Sequence, residues 1–245
     1  MRRCCLNQTM AMSELDKQKD YYKKIAGSYD SSFCFDEADE HFTALSLLRG
    51  LIPHHEISSL LDVGCGTGRA FEYLQPQFKE VSFQGVEPVD ELREELLKKN
   101  LEGVSVVEGD ATNLEFADGQ FDCTSLFGVL HHVAKPELAI KEALRVSKKI
   151  TFLSDHNVYG MGSVYTRRAK QLLRDLGLRR FMEFLLTKGK GYCDTDWDGV
   201  FYPFSLLDHL PLIRENAERV YCFPTKTFAV NLYREASHVA ILAVK

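Results

Sequence analysis

The stretch Leu60-Leu61-Asp62-Val63-Gly64-Cys65-Gly66-Thr67-Gly68 holds the residue types best suited to chemistry in this chain: an apolar run ending in an acid, then three glycines at alternate positions. Glycine has no Cβ, so Gly64, Gly66 and Gly68 can turn the backbone sharply out of a strand and bring it within contact distance of a ligand. A helix beginning near Arg69 would then aim its free N–H groups at that ligand. Together these features describe a site for a nucleoside cofactor. A dinucleotide fingerprint, Gly-x-Gly-x-x-Gly, would need its third glycine at position 69, which is Arg69. Here the third glycine comes one residue early.

A second apolar run, Val81-Ser82-Phe83-Gln84-Gly85-Val86, also ends in an acid, Glu87, followed by Pro88. A carboxylate at such a strand end can accept hydrogen bonds from both hydroxyls of a ribose, and Glu87 is the candidate for that role. The pattern Asp-x-Gly-x-Gly-x-Gly resembles the first motif of class I S-adenosylmethionine-dependent methyltransferases, and three further segments resemble the same family. Val104-Ser105-Val106-Val107-Glu108-Gly109-Asp110-Ala111 resembles the end of its third strand, which implies adenine contacts from the Asp110 side chain and the Ala111 N–H. Residues 121–133, ending in Leu130-His131-His132-Val133, resemble its fourth strand and Leu-His-His turn. That likeness implies contacts from Phe127, Gly128 and His132 to the amino-acid end of the cofactor. Tyr22-Lys23-Lys24-Ile25-Ala26-Gly27-Ser28-Tyr29-Asp30 resembles a segment of the ubiquinone- and menaquinone-pathway methyltransferases whose tyrosines close over the cofactor. Tyr22 and Tyr29 lie seven apart on one helical face, a spacing that suits packing against the core equally well. The candidate cofactor set is therefore Tyr22, Tyr29, Asp62, Gly64, Cys65, Gly66, Gly68, Glu87, Pro88, Asp110, Ala111, Phe127, Gly128 and His132.

The implied cofactor is S-adenosyl-L-methionine, with S-adenosyl-L-homocysteine as product. Its sulfonium already activates the methyl group, so the protein must mainly hold a nucleophile in line with the S–CH3 bond and exclude water. A base is optional. For a hydroxyl acceptor, His131, His132, His156 and Asp155 stand at the expected ends of the fourth and fifth strands, each open to a capping or packing role as well. Neighbours on a turn diverge, so at most one of His131 and His132 can face the methyl group. No Asn/Asp-Pro-Pro-Tyr/Phe follows the fourth strand and no Pro-Cys pair occurs, which disfavours amino groups of adenine or glutamine and cytosine C5 as acceptors. Small metabolites, sugars and quinone- or lipid-like molecules remain. In place of the common Leu-Lys-Pro-Gly-Gly turn stands Ser147-Lys148-Lys149, and Ser154-Asp155-His156-Asn157-Val158-Tyr159-Gly160 also departs from the quinone enzymes. Two other classes share the fold: a non-catalytic partner protein, which would lose the glycines or acids, and a nicotinamide oxidoreductase, which the glycine spacing disfavours.

Strands are expected near 58–63, 81–86, 104–108, 122–127 and 149–154, and helices near 68–75, 89–99 and 136–147. Pro76 should end the first of these helices and Pro136 should start the last. This alternation predicts a Rossmann-like, seven-stranded, mostly parallel sheet with helices on both faces, completed by strands at 219–223 and 238–244. The family resemblance implies that the last strand runs antiparallel. A helical lid is expected over 13–53 and a substrate cap over 155–215, since some 60 residues is about twice what one crossover helix requires. The cap region carries Arg167, Arg168, Lys170, Arg174, Arg179, Arg180, Lys188 and Lys190 against Asp175 and Glu183. Arg167 and Arg168 are candidates to hold an anionic substrate, and Tyr192, Trp197 and Tyr202 to wall its pocket. The alternatives are a solvated helix face and the cap's own small core. Asp194-Thr195-Asp196-Trp197-Asp198-Gly199 copies half of a calcium loop, but position twelve is Ser205 rather than glutamate, so no metal is assigned.

The 245 residues are 45% hydrophobic and 27% charged, enough for one large core, and 13–245 read as a single domain after a flexible extension over 1–12. Ser13 is the candidate cap of the first helix. A net charge of −5 argues against general nucleic-acid binding, and no apolar run approaches the roughly 20 residues of a membrane span. Seven cysteines without a Cys-x-x-Cys pair read as reduced thiols of a cytoplasmic protein.

Overall fold

The computed structural model describes residues 12–32, 39–226 and 231–245. Apart from Met12, the expected N-terminal extension lies outside the described residues. The chain begins with α1 (Glu14–Ile25), whose first turn is capped by Ser13 accepting from Asp16 N at 3.1 Å. A helical turn leads to α2 (Tyr29–Ser32), and α3 (Phe42–His54) follows. Then comes the alternation: β1 (Ser59–Val63), α4 (Arg69–Leu74), β2 (Ser82–Val86), α5 (Asp90–Lys98), β3 (Val104–Val107), β4 (Phe121–Phe127), α6 (Pro136–Val146) and β5 (Ser147–His156). Pro136 occupies the first turn of α6, where its missing N–H costs nothing, and α4 stops two residues before Pro76.

The seven-stranded sheet has the order β3-β2-β1-β4-β5-β9-β8, with β8 at Arg219–Pro224 and β9 at His238–Val244. Neighbours among β1 to β5 pair in parallel, whereas β9 pairs antiparallel with both β5 and β8. The strand order reverses between β1 and β4, and the ends of these two strands leave a crevice there for a ligand. Strands covered on both faces are buried along nearly their whole length, as β4 and β9 are, and β9 accordingly reads as a near-continuous apolar run. Side chains alternate between faces: Leu61, Leu126 and Leu153 pack with α6 through Ile140 and Leu144, while Leu60, Cys123 and Phe152 pack with Leu45, Leu48 and Phe71 of α3 and α4.

β5 runs two residues past its expected end and so carries Asp155 and His156 to the crevice. Residues 155–215 fold into α7 (Val164–Asp175), α8 (Arg179–Thr187), the hairpin β6 (Cys193–Thr195) and β7 (Gly199–Phe201), and α9 (Leu210–Glu215). A short α10 (Leu232–Glu235) precedes β9. Among the described residues, Cys65, Cys123, Cys193 and Cys222 are free thiols, and no helix is long and apolar enough to cross a membrane.

Candidate cofactor and acceptor site

At the carboxyl ends of β1 to β4 lies a cavity of about 290 Å³. Eleven of the fourteen candidate cofactor residues border it: Tyr22, Tyr29, Gly64, Gly66, Glu87, Pro88, Asp110, Ala111, Phe127, Gly128 and His132. Asp62 and Cys65 border an adjoining cleft shared with Tyr29, Gly64, Gly66 and Phe127. Gly68 sits apart, as the left-handed cap of α4, where a Cβ would strike Leu96 Cδ1 at 2.2 Å. Gly66 shows why the loop needs glycine: its φ is +55°, and nothing stands within 4 Å of where a Cβ would project.

Two carboxyl groups frame the loop. Glu87, only 5% exposed, accepts from Gly66 N and Val89 N at 3.0 Å each, one on each oxygen. Burial pushes it up to about 7 in spite of those bonds and of Arg93 nearby. Asp62 accepts from Ser125 Oγ at 2.7 Å, and burial lifts it to about 7 as well. Asp110 accepts from Thr112 N at 2.8 Å and Thr112 Oγ1 at 2.9 Å through one oxygen, a local turn that holds the side chain at the rim. A buried carboxyl with spare lone pairs beside an open glycine loop fits an adenosyl ribose: its hydroxyls would restore the hydrogen bonds that burial removes from Glu87.

The two adjacent histidines differ in every respect that matters. His131 is buried between two acids, with Nδ1 2.8 Å from Asp155 Oδ1 and Nε2 3.3 Å from Asp198 Oδ2. Burial alone would lower its basicity, but the two carboxylates overcome this and hold it at about 10, so the ring is a cation at neutral pH. Asp155 in turn accepts from Leu130 N at 2.8 Å, and both acids stay far below the usual carboxylate range. His132 borders the cavity instead. Its Nδ1 lies 2.7 Å from the Val200 carbonyl and 3.0 Å from Gln18 Nε2; with the proton placed on that nitrogen to meet the carbonyl, the Nε2 lone pair accepts from Tyr22 OH at 3.0 Å. Burial and the neighbouring His131 cation keep His132 below its ordinary value, and burial raises the Tyr22 phenol well above its own. Asp198 Oδ1 stands 3.4 Å from His132 Nε2, where it would stabilise a proton taken up on that atom. His156 does not reach the cavity. It stacks behind His131 with centroids 4.1 Å apart, and its Nδ1 has no partner among the described residues.

The five candidate substrate residues lie elsewhere. Arg167 and Arg168 on α7 border a separate surface depression with Gln171 and Asp175. Tyr192 OH accepts from Lys17 Nζ at 2.8 Å, Tyr202 OH donates to Glu14 at 2.7 Å, and Trp197 is 63% exposed. The two tyrosines thus tie the β6–β7 region to α1 rather than wall the cavity. Gln18 and Asp198 are the residues that sequence reading missed. Gln18 is buried, accepts from Val200 N and donates to Asp198 O, so it locks α1 onto the hairpin. Asp198 lies in the half calcium loop, and its oxygens face two histidines. His131, His132 and Asp198 could together reach one metal ion, with their ligand atoms within 4.8 Å of one another. The ion pairs of His131 explain the same arrangement without one.

Residues 61–153 match the model of a methyltransferase domain family. The chain is 30% identical over 125 residues to a probable (S)-tetrahydroprotoberberine N-methyltransferase of Papaver bracteatum, a match covering 49% of this chain and 34% of that protein. It is 41% identical over 51 residues to a demethylmenaquinone methyltransferase of Paenarthrobacter aurescens, covering 21% and 20%. The chain thus spans about a third or less of the length of these curated relatives. A Thermotoga maritima structure described as a SAM-dependent methyltransferase, possible histamine N-methyltransferase, superposes with a TM-score of 0.59 at 20% identity, over 93% of this chain and 99% of that one. Residues 61–153 are thus similar to a methyltransferase domain, and the chain shares the fold of solved structures described as SAM-dependent methyltransferases.

Proposed function

We propose that this chain transfers a methyl group from S-adenosylmethionine to a small-molecule acceptor, with His132 taking the proton that the acceptor releases. When bound, the cofactor supplies a methyl group already activated by its sulfonium. On this reading Glu87 holds the ribose hydroxyls, Asp110 and Ala111 N–H meet the adenine, and the loop from Gly64 to Gly66 approaches the amino-acid portion. Tyr22 and Tyr29 cover the cavity from α1 and α2 and exclude water. The observation that carries the reading is the grouping of buried Glu87, the open Gly66 and neutral His132 on one cavity.

The histidine assignment follows from the opposed electrostatics of His131 and His132. A base at neutral pH needs an unprotonated nitrogen in reach of the reacting group, which His132 Nε2 offers and His131, already a cation between two acids, does not. Asp198 would then steady the imidazolium formed on His132, while His131 positions Asp198 without touching the reacting atoms. The test is transfer of labelled methyl from S-adenosylmethionine to a panel of hydroxylated metabolites, sugars and quinols. Label should pass to one of these classes, with turnover falling on the acid side as His132 protonates. Absence of S-adenosylmethionine and S-adenosylhomocysteine binding by the folded protein would instead favour a non-catalytic partner role.

A further inference from the structure

The helices α7 and α8 are built inside out. More than half of the large apolar side chains exposed among the described residues fall within 164–186. On α7 and its C-terminal cap, Tyr165, Leu172 and Leu176 recur at helical spacing and face solvent at 60% exposure or more, while the buried member of the helix is Gln171, donating to the Tyr159 and Arg234 carbonyls. On α8, Phe181, Phe184 and Leu185 are each more than half exposed, while the buried residues are Met182 and Thr187. A surface helix normally turns such a stripe to the core. Here the stripe faces away, and α7 docks through Leu173, packed against Val158, Tyr159 and Met182, together with polar and cationic groups: Lys170 donates to the Val158 and Met161 carbonyls, and Arg174 lies over the Tyr159 and Tyr233 rings at 5.1 and 4.6 Å.

Charge says what covers this face. Arg168, Arg180, Lys188 and Lys190 are exposed and form no ion pair among the described residues, in a chain whose net charge is −5. A second copy placed face to face would bring these cations against their own kind. An apolar stripe flanked by free lysine and arginine is the pattern of a helix lying in a membrane interface, with leucine and phenylalanine among the acyl chains and the cations at anionic headgroups. We propose that the α7–α8 pair docks this protein on the surface of an anionic lipid bilayer. The inference stands apart from the methyl-transfer reading, since it uses none of the cavity residues. It needs no membrane span, and no described helix provides one.

The test is co-sedimentation of the protein with vesicles of phosphatidylcholine alone and of phosphatidylcholine with about one third phosphatidylglycerol. The protein should sediment with the anionic vesicles, stay in solution with the neutral ones, and be released by high salt. The double variant Phe181→Asp/Leu185→Asp should lose binding, and Arg180→Glu/Lys190→Glu should weaken it at least about tenfold. These side chains are exposed, so both variants should keep the wild-type circular dichroism spectrum and affinity for S-adenosylhomocysteine. Equal sedimentation of wild type and variants, or no sedimentation with either vesicle, overturns the proposal. So does a concentration-dependent dimer, seen by light scattering without lipid, that Phe181→Asp/Leu185→Asp abolishes.

Discussion

Around the carboxyl ends of β1, β2, β4 and β5, these buried polar side chains are held by backbone or by one another: Glu87 by Gly66 and Val89, Asp62 by Ser125, Asp155 by Leu130 and His131. Along α7 and α8 Gln171 and Thr187 lie inside beside Met182, while Leu176 and Phe181 are more than half exposed. Both regions belong to one chain, and the difference lies in what each packs against. Parallel strands end in N–H and C=O groups that can satisfy an acid or a histidine, so the sheet can store ionisable groups in its crevice. Helices that leave the sheet need such partners only on the side that docks, as Lys170 and Gln171 find on backbone carbonyls, and are free to carry apolar surface on the other. The first arrangement suits a ligand bound with few, oriented bonds, and the second a broad contact without orientation.

If the crevice owes its geometry to buried ion pairs, removing one member should cost the most. His131→Leu would strand Asp155 and Asp198, and a loss of about 3–5 kcal/mol is expected by denaturant unfolding at pH 7. The same pair gives a pH signature. The folded-state basicity of His131 lies above its unfolded value, so its contribution is complete below pH 6.5 and fades as pH rises through about 10. Wild type should therefore lose melting temperature over that window, and His131→Leu should lose less. Next in size, His132→Ala should lower kcat by about a hundredfold or more while leaving cofactor affinity within a factor of a few, read by steady-state kinetics and calorimetry. Asp62→Asn should act in the opposite sense on stability. The Asp62 carboxyl is raised to about 7 when folded, so its burial penalty is absent at low pH and complete above pH 7. The amide should thus stabilise the free protein at pH 8 by at most about 4 kcal/mol, a gain that shrinks as pH falls toward 4. Smallest of all, Phe181→Ala on α8 should change unfolding free energy by no more than about 1 kcal/mol, because about half of the Phe181 surface already faces water.

The contrast also explains what could be read from residues alone. Short apolar segments such as Ser59–Val63 and Val104–Val107 alternate with helical stretches, and the loops after them need glycine and an acid at fixed positions, so β1 to β5 and the places of Gly66, Glu87 and Asp110 were legible. β5 reads short because Asp155 and His156 are polar, yet Asp155 is satisfied at the strand end by Leu130 N and the His131 ring, neighbours distant in sequence. Asp198 and Gln18 left no local signal, since their meaning arises only when the β6–β7 hairpin folds back onto α1 and the His131–His132 turn. The cationic run over α7 suggested an anion site in the pocket. Helix packing instead turns Arg167 and Arg168 to a separate depression, for which neither composition nor periodicity could speak.

The account rests on the cavity at the glycine loop being an adenosyl site read by Glu87, and isothermal calorimetry with S-adenosylhomocysteine addresses it most directly. Wild type should bind one equivalent with no measurable affinity for NAD, and Glu87→Ala, with its fold intact by circular dichroism, should bind at least about a hundredfold more weakly, as expected for two lost hydrogen bonds to a charged group. Equal affinity in wild type and variant, or NAD bound in preference to the sulfur nucleoside, would contradict it.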